Sequence, residues 1–373
     1  MASRFYIFLF IIAFFSINSI TAQDFNYQLD IPEGFEMVDQ DDDGRGYMFF
    51  NQMSNTFCVI RIANEYRNAT EALSTLLKKM GAKGNIKAVK WQYKDCSITS
   101  SLNYNLNGTN QVGRAASVPL NDARNIITVI CFGANTKISQ AVCDSIIDSI
   151  GVDRGTLFAP GIVSSFNYPA LDRKDITVNI EGKAVHTSID GNAENAEKAV
   201  IDREFEIMKL YLNSPKWKEA WIRYYQQIYR VSYYYLQRPA FDIATIFYEN
   251  DTQFAKVLLK WLQYFSYERS NADDADFTPT TTAIQFQKND CDSRSMIFAA
   301  ILNQTAIPTT VFVSKEYSHM MAGVNLKDAG LKIQGSDRAW YLTAETTAKD
   351  LPLGMMMADM ADRSKWIDCV LPK

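Results

Sequence analysis

One cysteine, one histidine and one glutamate in the last quarter of the chain follow each other in an order that suits nucleophilic catalysis. Cys291 stands in Asn289-Asp290-Cys291-Asp292-Ser293-Arg294, directly behind an aspartate, and the apolar run Met296-Ile297-Phe298-Ala299-Ala300-Ile301-Leu302 comes after it. Aspartate is a preferred helix N-cap, so this pattern predicts Cys291 in the first turn of a helix too continuously apolar for the surface. At that end the helix dipole and the free backbone N–H groups favour a thiolate. His319 and Glu345 complete the set: Cys291 as nucleophile, His319 as the base that takes the thiol proton and returns it to the leaving group, Glu345 as the holder of the imidazole tautomer. The Cys291 backbone N–H is the first choice for an oxyanion donor, with the Gln285 and Gln287 side chains behind it. Asp290 and Asp292 act in the opposite sense, because nearby negative charge raises a thiol pKa. Glu316 and Asp337 are alternatives to Glu345, and His186 is the rival to His319 in a chain with two histidines.

Strands are needed to bring the histidine and the carboxylate back to the helix end. Thr309 to Val313 reads as one strand and Ser318 to Leu326 as the next, with His319, Met321, Gly323 and Asn325 on one face by period-two alternation. Trp340 to Thr346 reads as a further strand with Tyr341, Thr343 and Glu345 on one face. The gaps of 28 and 26 residues between the three groups leave room for such returns. Upstream, Asn195 to Leu212 and Thr252 to Phe265 have helical spacing, the latter capped by Asn250 or Asp251. Between them Ser214 and Pro215 open a helix that carries Trp217, Trp221, Tyr224, Tyr225, Ile228 and Tyr229 at three- and four-residue intervals. That stripe reads as core packing, with a carbohydrate or peptide platform as the alternative.

The first part of the chain, residues 23–152, reads as strands with two helices, Thr70 to Met80 and Ile138 to Ile150, hence an antiparallel sheet carrying helices. Residues 153–170 hold the Gly/Pro/Ser-bearing stretch taken as a linker. Residues 171–373 then form the second domain, with a hairpin (Asp175 to Ile180, Ala184 to Ile189) and the helical region at its start. The fold class expected is α+β.

Asn289-Asp290-Cys291, Ala306-Ile307-Pro308, Tyr317-Ser318-His319 and Trp340-Tyr341-Leu342-Thr343-Ala344-Glu345-Thr346 resemble the transglutaminase-like superfamily of papain-type cysteine enzymes, over about Val257 to Leu353. Cys291, His319 and Glu345 fall on the family's three catalytic positions. The resemblance implies amide chemistry through a thioester on peptide or protein substrates, cell-wall peptide among them, with no metal or organic cofactor. Asn289 stands where the family commonly has glycine, Met320 follows the histidine, and Glu345-Thr346 replace aspartate and proline. These departures support a second reading, a non-catalytic binding or assembly protein of the cell envelope. The opening Leu29-Asp30-Ile31-Pro32-Glu33-Gly34-Phe35 and the order of elements after it resemble the PsbP-like fold, a small α+β binding or assembly module.

Composition bounds the remaining choices. Residues 1–22 have the form of a secretory signal: Arg4, an apolar core from Phe5 to Phe15, a polar close, and Ala22 before the expected cleavage. No cysteine stands there to carry a lipid, and no later segment is long and apolar enough to span a bilayer. The mature protein is therefore expected to be exported, periplasmic or extracellular. A net charge of −4 argues against a nucleic-acid partner. Of six cysteines, Cys58, Cys96, Cys131 and Cys143 lie early, where either two disulfides or four buried thiols would account for them. Cys369 is then the one remaining partner for a disulfide with Cys291. No pair has metal-ligand spacing.

Overall fold

The computed structural model describes residues 19–22, 27–122, 124–268 and 275–372. The expected signal peptide lies outside the described residues except for β1 (Ser19–Ala22), which pairs antiparallel with β2 (Tyr27–Asp30). Strands β3 (Phe35–Gln40), β4 (Gly46–Asn51), β5 (Thr56–Ala63), β6 (Lys83–Trp91), β7 (Lys94–Leu106), β8 (Thr109–Pro119) and β9 (Ile126–Gly133) form a seven-stranded antiparallel sheet in the order β3-β4-β5-β9-β8-β7-β6. Helix α1 (Ala69–Met80) covers one face, with Leu73 and Leu77 against Ile130 and Phe132. Helix α2 (Lys137–Asp148) covers the other, with Val142 and Ile146 against Ile60 and Val129. Successive residues of β9 thus serve opposite cores, and all of them are buried.

The stretch read as a linker carries two short helices, α3 (Arg154–Leu157) and α4 (Ile162–Asn167), and buries Phe158, Ile162 and Val163. Asp148, at the end of α2, accepts the Val163 and Ser164 backbone N–H groups at 2.7 and 3.0 Å, and so caps α4 from outside. A Cβ at Gly161 would lie 2.2 Å from the Asp148 Oδ1, so glycine is what admits that carboxylate.

Beyond it come the hairpin β10 (Lys174–Ile180) and β11 (Lys183–Ile189), then α5 (Ala193–Lys209), α6 (Trp217–Tyr235), α7 (Gln237–Phe247) and α8 (Asp251–Gln263). Asn250 caps α8 by accepting the Gln253 N–H. Helix α6 begins two residues after Pro215, and the Ser214 hydroxyl accepts the Lys216 N–H just ahead of it. Tyr224, Tyr225, Ile228 and Tyr229 of the aromatic stripe are buried, which makes it core. A two-stranded parallel pair, β12 (Ser266–Tyr267) and β13 (Lys288–Asn289), flanks α9 (Thr280–Phe286). Helix α10 (Cys291–Gln304) then packs on a second antiparallel sheet of β14 (Thr309–Ser314), β15 (His319–Val324), β16 (Lys332–Gln334), β17 (Trp340–Ala344) and β18 (Ile367–Asp368), ordered β16-β17-β15-β14-β18. With 36% helix and 32% strand, and antiparallel sheets set apart from the helical region, the class is α+β. Among the described residues no helix is long and apolar enough to cross a membrane.

All six cysteines are buried and free. Cys58 and Cys131 lie directly opposite each other on β5 and β9 without a disulfide, and no bond joins Cys291 to Cys369.

The two halves meet on α6 through buried ions. Arg223 holds Glu204 of α5 at 2.6 Å and the Ser145 hydroxyl of α2 at 2.7 Å, and sits 3.0 Å from Asp30. Arg203 reaches Asp148 at 2.7 Å and Glu204 at 2.9 Å. Arg230 donates to the carbonyls of Asp148, Ile150 and Thr156 at 2.6, 3.0 and 2.7 Å. Burial lowers its pKa to about 10, within the range where it stays charged at neutrality. Arg230→Ala would leave three buried acceptors unmet and should cost about 3 kcal/mol or more. A urea melt followed by tryptophan fluorescence measures this; an unchanged midpoint would remove Arg230 from the forces joining the halves.

Candidate active site

The segment ahead of Cys291 is fixed before the helix starts. Arg294, almost fully buried, donates from Nε to the Asn289 Oδ1 at 2.9 Å and from Nη2 to the Phe265 and Asn289 carbonyls at 2.9 and 3.2 Å. Asp290 is the N-cap: its Oδ1 accepts the Ser293 N–H and hydroxyl, each at 3.1 Å. The Ser293 hydroxyl oxygen in turn accepts the Thr278 N–H at 2.9 Å, tying in the chain ahead of α9. Glu197 of α5 accepts the Thr280 and Thr281 N–H groups and caps α9 from outside. Cys291 therefore opens α10, as its sequence predicts, and the helix behind it is buried through Leu302 apart from Asp292, which is mostly buried.

The other two predicted residues are brought together. The His319 Nε2 lies 2.8 Å from the Glu345 Oε2. Glu345 is 1% exposed, and its Oε1 accepts the Thr347 N–H and hydroxyl at 2.9 and 2.6 Å. Burial pushes the Glu345 carboxyl up, but His319 and the Thr347 donors outweigh it and hold the pKa below the usual glutamate value. Gln263 secures the backbone there by donating to the Glu345 and Leu351 carbonyls, both at 2.9 Å. Ser295, one turn into α10, lies 3.1 Å from the Thr346 hydroxyl and 3.4 Å from the Met320 carbonyl. It fastens the head of the helix to the residues that follow His319 and Glu345. The alternatives fall elsewhere: Glu316 is exposed, Asp337 accepts the Tyr341 hydroxyl, and His186 pairs with Thr177 on the exposed face of the hairpin.

The thiol's hydrogen bond goes to an aspartate and not to the imidazole. The Cys291 Sγ donates to the Asp292 Oδ1 at 3.3 Å, and no thiol–imidazole hydrogen bond forms among the described residues. Cys291 is 2% exposed. Burial, then Asp292 and Asp290, push its pKa well above the usual thiol value, with partial relief from the Met320 backbone N–H. That amide belongs to the residue after His319, so the sulfur lies against β15 beside the histidine. Gln285 and Gln287 make no side-chain hydrogen bond here among the described residues, and Gln285 is exposed.

Sequence reasoning anticipated the charge of Asp292 but not its anchor. The Tyr225 hydroxyl of α6 donates to the Asp292 Oδ2 at 2.6 Å. Tyr225 reads only as one member of a core stripe, and nothing in local spacing marks it as reaching a carboxylate 67 residues away. Burial raises the Asp292 pKa, against the Tyr225 and Cys291 hydrogen bonds. Asp290 is raised to about 8, chiefly by burial and then by Asp292. Asp290, Cys291 and Asp292 bring ligand atoms within 4.8 Å of one another. Asp290 Oδ1 and both Asp292 oxygens are taken by Ser293, the thiol and Tyr225, so the group reads as a capped helix start.

No family model matches the chain, and no curated protein matches it. Among solved structures, the N-terminal part has weak similarity to PsbP from the cyanobacterium Synechocystis, 14% identical with a TM-score of 0.30, over 38% of this chain and 95% of that one. It is also weakly similar to the Ran-binding protein Mog1p of Saccharomyces cerevisiae, 10% identical with a TM-score of 0.28, over 39% of this chain and 100% of that one. A candidate protease from Parabacteroides distasonis is 12% identical with a TM-score of 0.22, over 83% of this chain and 70% of its own. None of these comparisons names a transglutaminase-like protein.

Two substitutions test the electrostatics. The folded Asp290 carboxyl binds its proton up to about pH 8, whereas an unfolded aspartate releases it near pH 4. Stability therefore falls as pH rises through that window, by at most about 1.4 kcal/mol per unit. Asp290→Asn keeps an N-cap and removes the slope, so its gain in Tm should be larger at pH 8 than at pH 5; an equal gain at both would contradict the raised pKa. Asp292→Asn removes the carboxylate that acts most strongly on the thiol and should speed iodoacetamide labelling of Cys291 in the folded protein severalfold at pH 8. An unchanged rate would mean that access, not ionisation, limits the thiol.

Proposed function

We propose that the chain is an exported cysteine hydrolase or acyltransferase of the transglutaminase-like type, acting on amide bonds of peptides or proteins in the periplasm or outside the cell. The observation that carries this reading is the 2.8 Å pair of His319 with a buried Glu345, on a strand whose Met320 N–H meets the sulfur of a cysteine at a helix start. A carboxylate that holds one imidazole nitrogen fixes the tautomer and leaves the other nitrogen to exchange protons. In the reaction Cys291 turns from Asp292 toward His319, gives up its proton to the imidazole, and adds through sulfur to the substrate carbonyl. The C–N bond breaks, His319 returns the proton to the leaving amine, and a thioester remains. Water or a second amine then cleaves the C–S bond and restores the thiol. The Cys291 backbone N–H, at the first helical position, has no acceptor among the described residues and would stabilise the developing oxyanion.

A specific observation favours a second reading. The hydrogen bond from thiol to Asp292 and the raised thiol pKa suit a binding or assembly protein that keeps the site without turnover. Thiol reactivity separates the two. Labelling of the reduced, folded protein with iodoacetamide across pH 5 to 9, mapped by mass spectrometry, should modify Cys291 without unfolding in the enzyme, and His319→Ala should slow it about tenfold or more. If Cys291 stays unmodified until the protein unfolds, the hydrolase reading fails and the binding reading takes its place.

A further inference from the structure

Four of the six cysteines, Cys58, Cys96, Cys131 and Cys143, are buried in one core between the seven-stranded sheet and α2. Two of them face each other. Strands β5 and β9 are neighbours in the middle of the sheet, and Cys58 stands directly opposite Cys131 in their register. Both side chains therefore enter the same core, and both residues are 0% exposed.

The hydrogen-bond phase of the ladder decides how close they come. Antiparallel pairs alternate between hydrogen-bonded positions, with Cα atoms about 5.5 Å apart, and non-hydrogen-bonded ones, about 4.5 Å apart with closer side chains. At the end of β5 and β9 the Ala134 N–H donates to the Asn55 carbonyl, which makes residues 55 and 134 a hydrogen-bonded pair. Three steps along an unbroken register, Cys58 and Cys131 are a non-hydrogen-bonded pair. The flanking ladders agree. The Ile62 N–H donates to the Arg45 carbonyl, and the Leu120 N–H to the Asn125 carbonyl. By the same count these turn the Cys58 backbone toward β4 and the Cys131 backbone toward β8.

A disulfide joins Cα atoms about 4.4 to 6.8 Å apart, so this position admits one in the register as it stands. Cys96 cannot compete, since β7 lies two strands from β9 and three from β5. Cys143 of α2 is the rival, but Cys58 acts on the Cys131 thiol more strongly than Cys143 does.

We propose that oxidation joins Cys58 to Cys131 in a cross-strand disulfide that staples the two middle strands of the N-terminal sheet. The oxidant is a disulfide-bearing exchange partner in the exported compartment. One cysteine thiolate attacks that disulfide, forms a mixed disulfide and releases one thiol. The second thiolate attacks the cysteine sulfur of the mixed bond and releases the other thiol. Two cysteine thiols are thus oxidised, one disulfide is reduced to two thiols, and the two protons pass to the departing thiolates. Burial raises the Cys131 pKa well above the usual thiol value, so the exchange belongs to folding, before α2 closes over the pair. The source of the oxidant rests on the exported location proposed above; the pairing does not.

Refolding the reduced, urea-denatured full chain in a mixture of oxidised and reduced glutathione tests the pairing. Peptide mapping without reductant should find Cys58 linked to Cys131 in a product two hydrogens lighter, with Cys143 still a thiol. The two cysteines are 73 residues apart, so the closed loop takes in α1 and β6 to β8. The oxidised chain should therefore melt about 5 °C above the reduced one. Two redox forms of one chain are compared, so no variant has to fold. A folded product with both thiols free, a linkage that uses Cys143 in place of either, or an equal Tm of the two forms would overturn the proposal. The cell compartment of the chain is a separate measurement, so failure of the exported reading and failure of the pairing are told apart.

Discussion

The buried guanidinium groups of α6 are the constraint on which the architecture rests. Taking Arg223, Arg230 and their partners out of water is expensive, and the cost is met only because each charge finds fixed partners on more than one element. Those partners come from β2, α2, the segment after it and α5, so the N-terminal sheet and the helical layer form one packed unit. The same helix turns Tyr225 toward Asp292. The element that joins the halves thus also sets the resting contact of the candidate nucleophile.

At that nucleophile two electrostatic tendencies oppose each other. The helix start and the backbone N–H of Met320 favour a thiolate; burial and two aspartates favour a thiol. In the resting geometry the thiol prevails and donates to Asp292. The His319–Glu345 pair is meanwhile fully formed, with the second carboxylate oxygen held by Thr347 and the backbone held by Gln263. The histidine–carboxylate pair is thus complete, while the thiol's hydrogen bond is spent on Asp292.

The parts of this arrangement visible in the sequence are those governed by local rules. Asp290 announces the start of α10 because capping is decided within three residues. His319 is legible because it opens β15, whereas Glu345, expected on a strand, sits one residue past the end of β17. The early strands follow from strict alternation. What escapes sequence reading depends on distant partners or on ambiguous punctuation. Tyr225 cannot be told from its neighbours in the stripe until Asp292 is placed. The stretch 153–170 has the glycine, proline and serine content of a linker, but those residues admit the close approach of Asp148 to α4. Helix α7, absent from the sequence reading, has Pro239 in its first turn, where proline is tolerated but resembles a break.

The contact of Arg230 with two carbonyls of the other half also bears on inheritance. A charge buried at a domain boundary has value only while its acceptors travel with it, so neither half of this chain can be exchanged for a foreign counterpart without stranding ions in a dry interior. Recombination that respects the apparent border near residue 152 would separate the guanidinium from those two carbonyls, Asp148 and Ile150, and divide what folding has made a single piece.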